Sequence, residues 1–322
     1  MGKKQFRHLL ETLDKNHPVI IQTHDYPDHD AVAAGFALSY LLTSFGFQCT
    51  LVYGGEMQGD SIDETIEMLG TPAVPAAALK IDDRSQVILV DGFAGNKNVT
   101  ELSGTLVGII DHHKPPEPPS CPFADIRPDV GSCATIVYQY FLETGTEAPR
   151  DVATSLLMGI MMDTAYMTRG VGPIDLAAFS GIFFKSDWEK ASYVLRNSLS
   201  VRDLPLIRHA MDNNHILGDV CFVELEKSCR AELLGLLSDY FLSFKEIFFV
   251  VTYEIDETQC RISVRSEDPR RPADKILRRA LEGYGYGGGH MHMSGGFIPA
   301  DAFPGGPWLR ERFLSVLGET TQ

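Results

Sequence analysis

The sequence predicts an α/β protein with a larger N-terminal parallel-sheet domain, a smaller C-terminal α/β domain and an active site in the cleft between them. Three observations carry this. Over the first half, short and almost wholly apolar runs alternate with longer stretches of helical periodicity, the pattern of buried parallel strands joined by helices. After Leu217-Gly218 the pattern changes to a new set of strands and helices. The length of 322 residues fits two domains of about 150 residues each.

In chain order, Val19–Gln22 reads as a strand. Asp30–Phe45 then sets Val32, Phe36, Leu38, Leu41, Leu42 and Phe45 at helical spacing, and Gly46 ends the helix. Cys49–Tyr53 is a second strand and Ile62–Leu69 a second helix. Val87–Val90 and Leu106–Ile110 are further strands, and Cys133–Leu142 and Val152–Met162 further helices. A Gly-rich stretch, Met167–Pro173, precedes helical patterns at 174–186 and 188–198. Beyond it, Val220–Leu225, Ile247–Ile255 and Arg261–Val264 read as strands, and 230–242, 272–282 and 307–317 as helices. The division this suggests is a larger α/β domain over 1–190, a helical connector over 191–215 and a smaller α/β domain over 216–322.

Composition excludes several classes. With 44% hydrophobic and 22% charged residues, the chain is neither a disordered tail nor a coiled coil. Its longest apolar runs, Val87–Val90 and Ile247–Val251, fall far short of the roughly 18 residues of a membrane span. The basic start Met1–Gln5 leads to Glu11, Asp14 and Lys15 rather than to an apolar stretch, and Phe6 stands where a myristoylation motif has Ser or Thr. The expectation is a cytoplasmic protein with no membrane partner, a monomer or homodimer. Lys and Arg total 28 against 43 Asp and Glu, a net charge of −15, so long duplex nucleic acid should be repelled. A small anionic substrate remains compatible if cations offset the field. The cysteines at 49, 121, 133, 221, 229 and 260 show no CxxC spacing and read as reduced thiols rather than zinc ligands or disulfides.

The histidines carry the chemistry. His24-Asp25-Tyr26-Pro27-Asp28-His29-Asp30 follows the first strand, and Asp111-His112-His113 follows the strand Leu106–Ile110. Asp91 ends the strand Val87–Val90, and Asp163 follows Gly159-Ile160-Met161-Met162. Three of these four groups sit at carboxyl ends of parallel strands, where open α/β sheets bind ligands. A lone Asp in such a place is ordinarily a helix cap. Four such groups in one domain would repel one another unless cations neutralise them. Imidazole with carboxylate suits Mn²⁺, Fe²⁺ or Zn²⁺, and the ligands suffice for two ions sharing one carboxylate, an arrangement that serves displacement at phosphorus.

His24-x-x-x-Asp28-x-Asp30, Asp91, Asp111-His112-His113 and Gly159-Ile160-x-x-Asp163-Thr164 resemble the four motifs of the DHH phosphoesterase superfamily. Gly287-Gly288-Gly289-His290 resembles the signature of its associated C-terminal domain, and Arg265-Ser266 the Arg-Ser of its short two-domain branch, which holds nanoRNA-degrading and pAp (3′-phosphoadenosine 5′-phosphate) phosphatase enzymes. His29, Met293 and the spacing of Arg169 depart from that pattern. The resemblance implies two divalent ions, Mn²⁺ foremost: one held by His24, Asp28 and Asp91, the other by Asp30, Asp91, His112 and Asp163. It further implies that His113 faces the substrate phosphate and that Asp111 orients it.

The window Arg261–Arg279 holds seven Lys or Arg against three acidic residues, a local positive patch. Lys275, Arg278 and Arg279 read as a solvated helix face, whereas Arg265 follows the apolar alternation of Ile262 and Val264. A glycine run is ordinarily a loop, and this one would offer backbone N–H groups to an anion. Arg265, Ser266, Gly287, Gly288, Gly289 and His290 are therefore the expected substrate contacts. The expected function is a two-metal phosphoesterase acting on short oligonucleotides, a nanoRNA exonuclease, with the 3′-phosphate of pAp as a second target. The alternatives are a phosphodiesterase for cyclic or linear dinucleotides, a pyrophosphatase or short-chain polyphosphatase, and an inactive nucleotide-binding regulator, against which the intact ligand set argues.

Overall fold

Six strands of the N-terminal half form one all-parallel sheet in the computed structural model, which describes residues 4–55, 57, 60–115, 117–225 and 229–320. Met1-Gly2, on which the reading of the N-terminus partly rests, lies outside the described residues. The strands are β1 (Val19–Gln22), β2 (Cys49–Tyr53), β3 (Ala73–Pro75), β4 (Gln86–Val90), β5 (Thr105–Asp111) and β6 (Phe123–Ile126), in the order β3-β2-β1-β4-β5-β6. The chain leaves β1 toward β2 and β3 on one side, then returns to β4 and runs to β6 on the other. The order therefore reverses between β1 and β4, and a crevice opens there at the carboxyl ends of the strands.

The helices of this half are α1 (Gln5–Thr12), α2 (His29–Ser44), α3 (Asp60–Leu69), α4 (Cys133–Thr144), α5 (Arg150–Asp163), α6 (Pro173–Phe183) and α7 (Trp188–Arg196). They share one core with the sheet face of Val19, Ile21, Ile88, Val90 and Ile110, in which Leu38, Leu41, Ile136, Leu156 and Ile160 are fully buried. The opposite face, with Ile20, Val52, Val87, Leu89 and Ile109, lies under loop residues such as Phe93 and Val99. Both faces are covered, as the apolar strands require, but helices cover only one.

Three elements of this half, α1, the three-residue strand β3 and β6, escape sequence periodicity. Helix α1 buries Phe6 and Leu9 completely, and its first amides are capped by the distant carboxylate of Glu143, at 3.0 Å from both Phe6 N and Arg7 N. Strand β6 has only four residues, of which Ala124 is exposed, and lies at the sheet edge.

The chain divides into two compact units, 1–198 and 199–322. The stretch expected as a connector is split between them, since α7 packs on α5 and α3, whereas α8 (Leu204–Asp212) packs on a strand of the second unit. That unit contains β7 (Asn214–Leu217), β8 (Val220–Leu225), α9 (Ala231–Leu242), β9 (Phe249–Ile255), β10 (Gln259–Ser266), α10 (Ala273–Leu281), β11 (Tyr286–Gly289), β12 (Met293–Pro299) and α11 (Gly306–Thr320). Its sheet order is β11-β12-β10-β9-β8-β7, with β8 and β9 parallel and the other pairs antiparallel. Alternate residues of β10 divide its faces: Cys260, Ile262 and Val264 join the core with α10 and α11, while α9 and α8 cover the other side. No helix among the described residues is long and apolar enough to cross a membrane.

The glycine run, expected as a loop, is instead the edge strand β11, paired antiparallel with β12 through Gly287↔Gly296, Gly288↔Gly295 and Gly289↔Ser294. Packing explains the composition. A Cβ at Gly287 would fall 2.6 Å from Leu277 Cδ2 of α10, and Gly289, at φ +137°, would drive one to 2.6 Å from Met293 O.

Candidate metal centre

Each predicted ligand of the first unit lies at the carboxyl end of a strand or at a helix terminus beside it. Thr23 and His24 leave β1, and the Asp28 side chain caps α2 by accepting from Asp30 N and Ala31 N, both at 3.0 Å. The loop is fixed by Asp25, which accepts from Thr100 N at 2.8 Å and Thr100 Oγ1 at 2.9 Å, and by Gln22 Nε2 donating to Thr100 O at 2.6 Å. Asp91 follows β4 with φ +58°, a left-handed conformation that a residue with a Cβ rarely adopts. Such backbone strain costs on the order of 1–3 kcal/mol and concentrates at functional sites.

These groups converge on Asp91. Ligand atoms of His24, Asp28 and Asp91 lie within 4.8 Å of one another, as do those of Asp30, Asp91, His112 and Cys133, and those of Asp91, Asp111 and His113. His24 Nε2 is 3.9 Å from Asp28 Oδ2 and 3.8 Å from Asp91 Oδ2. His112 Nε2 is 3.6 Å from Asp91 Oδ1 and 3.1 Å from Asp163 Oδ2, which brings the end of α5 into the cluster. One carboxylate thus faces His24 through Oδ2 and His112 through Oδ1. The donors are carboxylate oxygens and imidazole nitrogens with a single buried thiol, a set that fits Mn²⁺ and its first-row neighbours.

The electrostatics point the same way. Burial, with the charges of Asp163 and Asp91 added, raises the pKa of Asp30 well above the usual carboxylate range. Burial also pushes Asp163 up to about 6, against a hydrogen bond from His112. Asp91 behaves oppositely: burial would raise it, but the His113 hydrogen bond and the charges of His113, His112 and His24 hold it far below. Buried acids that repel one another around a common centre are what a divalent cation relieves.

The two adjacent histidines separate by contact. His112 is buried, with Nδ1 3.2 Å from Val130 O. The His113 side chain is 33% exposed. Asp111 Oδ1 accepts from its backbone N at 2.6 Å and lies 2.8 Å from its Nδ1, so Asp111 sets the ring orientation.

In the second unit, Arg265 lies on the α9 side of β10. Its Nε donates to Asp239 Oδ1 at 3.0 Å and its Nη1 to Ser263 Oγ at 3.0 Å, so this guanidinium is held by a carboxylate. Ser266 is buried; its Oγ lies 3.3 Å from both the backbone N and O of Asp268, and its N donates to His292 O at 2.9 Å. Gly287, Gly288 and Gly289 lie on the edge strand, with His290 directly after it, its N donating to Met293 O at 2.7 Å.

Sequence reasoning missed the contribution of α4. The backbone N–H groups of Cys133 and Ala134 donate to Asp30 Oδ2 at 2.6 Å and Oδ1 at 2.8 Å, and Cys133 Sγ is 3.6 Å from Asp91 Oδ1. The only local signal is Ser132, which caps this helix through Thr135 N. Nothing in the spacing ties it to residue 30.

Residues 18–160, which contain β1 to nearly all of α5 and every predicted ligand except Asp163, match the model of the DHH family, N-terminal domain. This segment is a DHH domain. An uncharacterized protein of Methanocaldococcus jannaschii is 27% identical over 304 residues, covering 94% of this chain and 62% of that protein. A "probable manganese-dependent inorganic pyrophosphatase" of Streptococcus pyogenes is 31% identical over 152 residues, 45% of this chain and 48% of its own. The chain therefore spans less than two thirds of either relative. An exopolyphosphatase-related protein from Bacteroides fragilis has the same fold, with a TM-score of 0.80 over 99% of this chain and 96% of that one at 19% identity.

Proposed function

We propose that this chain is a metal-dependent phosphohydrolase of short nucleotide substrates, with Asp91 shared between two divalent ions. The observation that carries the reading is the place of Asp91 within 4.8 Å of two separate ligand groups. His24, Asp28 and Asp91 would hold one ion, and Asp30, Asp91, His112 and Asp163 the other. When bound, such a pair supplies charge neutralisation at the phosphoryl group and an activated water. The streptococcal relative's name supports manganese as the metal.

The protein's own residues do the rest. Asp111 holds His113 Nδ1, which leaves Nε2 as the nitrogen to face a phosphoryl oxygen. Burial lowers the His113 pKa, but bonds to Asp111 and Asp91 outweigh it and push the value up to about 11. In the metal-free protein the ring is a cation, and a proton kept on Nε2 would be donated to developing negative charge.

A nucleotide is favoured over a bare phosphate chain by Tyr286 and Phe297 at the glycine-rich edge. Both rings are substantially exposed and lie 5.9 Å apart, a surface suited to base stacking. Arg265 and the segment Gly287–His290 are the proposed phosphate contacts. The net charge of −15 disfavours long polyanions. Pyrophosphate or short polyphosphate is the second reading, favoured by the pyrophosphatase relative of the DHH domain.

A panel of pAp, di- to pentaribonucleotides, a 24-mer, cyclic dinucleotides, pyrophosphate and tripolyphosphate, incubated with Mn²⁺ and resolved by chromatography, tests this. Fastest hydrolysis of di- to pentanucleotides or pAp supports the proposal. Turnover of pyrophosphate or tripolyphosphate alone would replace it with the second reading.

A further inference from the structure

One five-residue segment serves two of the ligand side chains. Val130 O lies 3.2 Å from His112 Nδ1. Three and four residues later, the N–H groups of Cys133 and Ala134 hold both oxygens of Asp30. Where this strap sits therefore decides where an imidazole and a carboxylate of the centre point. The strap is itself held from outside. Asp175, on the first turn of α6 and 0% exposed, places Oδ1 and Oδ2 each 3.0 Å from Gly131 N, and Oδ2 also accepts from Gly172 N at 2.9 Å.

We infer that Asp175 is a positioning residue of the metal centre, acting through Gly131 on the strap that orients His112 and Asp30. A carboxylate buried this completely is costly unless amide donors satisfy it, and here the donors come from two loops that it joins. The first is the strap; the second, 164–172, follows the ligand Asp163. The fit is close: a Cβ at Gly131 would lie 2.8 Å from Thr164 Cγ2, 3.0 Å from Gly170 O and 3.2 Å from Asp175 Cγ. Strap and second loop cannot shift independently, so one carboxylate registers the surroundings of three ligands. Hydrogen-bond partners behind metal ligands commonly govern affinity in this way. The inference rests on the two-metal reading of the site.

The test is a Mn²⁺ titration of metal-stripped protein, with free Mn²⁺ followed by electron paramagnetic resonance. Three variants are compared with the wild type. Asp175→Asn loses the charge. Asp175→Glu keeps a helix-capping carboxylate for Gly172 N but displaces the contact with Gly131. Ile182→Val, on the same helix and buried, lowers stability without touching the strap. Asp175→Asn and Asp175→Glu should retain the far-ultraviolet circular dichroism of the wild type and bind Mn²⁺ about 10- to 100-fold more weakly. Ile182→Val should bind it normally despite a lower Tm. The inference is overturned if folded Asp175→Glu binds Mn²⁺ as tightly as the wild type, or if Ile182→Val loses as much affinity as the Asp175 variants. A wild-type protein that binds no Mn²⁺ overturns the metal reading beneath it, a result distinguishable because it needs no variant.

Discussion

His112 Nδ1 lies 3.2 Å from the carbonyl oxygen of Val130. A carbonyl can only accept, so Nδ1 carries the proton, and Nε2 is the nitrogen turned toward Asp91 and Asp163 at 3.6 and 3.1 Å. The main chain thus keeps the proton on Nδ1 and leaves Nε2 as the nitrogen a metal would take, the arrangement a ligand imidazole needs.

The proton balance of metal binding follows. Burial lowers the His112 pKa, but the hydrogen bond to Asp163 and the charges of Asp163 and Asp91 outweigh it and push the value up to about 10. At neutral pH the metal-free ring is charged, and Nε2 must lose its proton to become a ligand. Mn²⁺ affinity should therefore rise with pH up to about 10, and calorimetric titrations in buffers of different ionisation heat should show proton release. The raised pKa stabilises the metal-free fold fully below the unfolded-state value, and that contribution is lost as pH climbs toward 10. The Tm of stripped protein should fall over this window, while the Mn²⁺-loaded Tm, with His112 already neutral, should lack that component. A metal-free Tm that rises across the window, with no proton release, contradicts this.

The adjacent histidines should fail differently. His112→Ala should lower the bound Mn²⁺ measured by elemental analysis. His113→Ala should keep its metal and lose rate, on the order of 100-fold or more, because it removes a donor to the phosphoryl group. Equal metal loss in both variants means the roles are wrongly divided.

Gly159 tests the packing beneath the centre. A Cβ there would meet Ala33 Cβ and Asp30 Oδ1 at 3.0 Å and Ala134 Cβ at 3.1 Å, so α5 approaches α2 and α4 only because the side chain is absent. Gly159→Val should destabilise the metal-free protein by about 1–3 kcal/mol, as overpacking does, and should weaken Mn²⁺ binding by displacing Asp30. Denaturant unfolding and Mn²⁺ titration measure both; an unchanged midpoint would show that the helices separate freely.

The extent to which the sequence disclosed the molecule depended on how local each signal is. Strands β1 and β4 and most of β5 are apolar runs because both of their faces are buried, and their ends carry His24, Asp91 and Asp111-His112-His113, so sheet and ligands were readable together. Helix α1 was not, because its cap is Glu143, more than 130 residues away. The glycine run read as a loop because a strand of glycines has no apolar alternation; its reason is the closeness of Leu277. The hold of Cys133 and Ala134 on Asp30, and that of Asp175 on Gly131, left no trace, because backbone amides are the donors and any sequence supplies those.

Arg265 carries the substrate side of the proposal. Its guanidinium is engaged by Asp239, so binding phosphate means exchanging one carboxylate for another anion. Arg265→Ala should raise KM for dinucleotides about tenfold or more with a smaller effect on kcat, and Arg265→Lys should restore only part, since an ammonium lacks the planar fork. Asp239→Asn should lower KM by weakening the competitor. Steady-state kinetics on the best short substrate decide it, and an unchanged KM in Arg265→Ala removes this residue from the binding set.

The central claim, that Asp91 is shared by two metal ions, is tested most directly by electron paramagnetic resonance of protein loaded with Mn²⁺. Wild-type protein should bind about two ions per chain and give the spectrum of an exchange-coupled pair, as closely spaced two-metal sites do, and Asp91→Ala should lose that signal. A wild-type spectrum of isolated Mn²⁺ only, or a coupled pair that survives in Asp91→Ala, would contradict it.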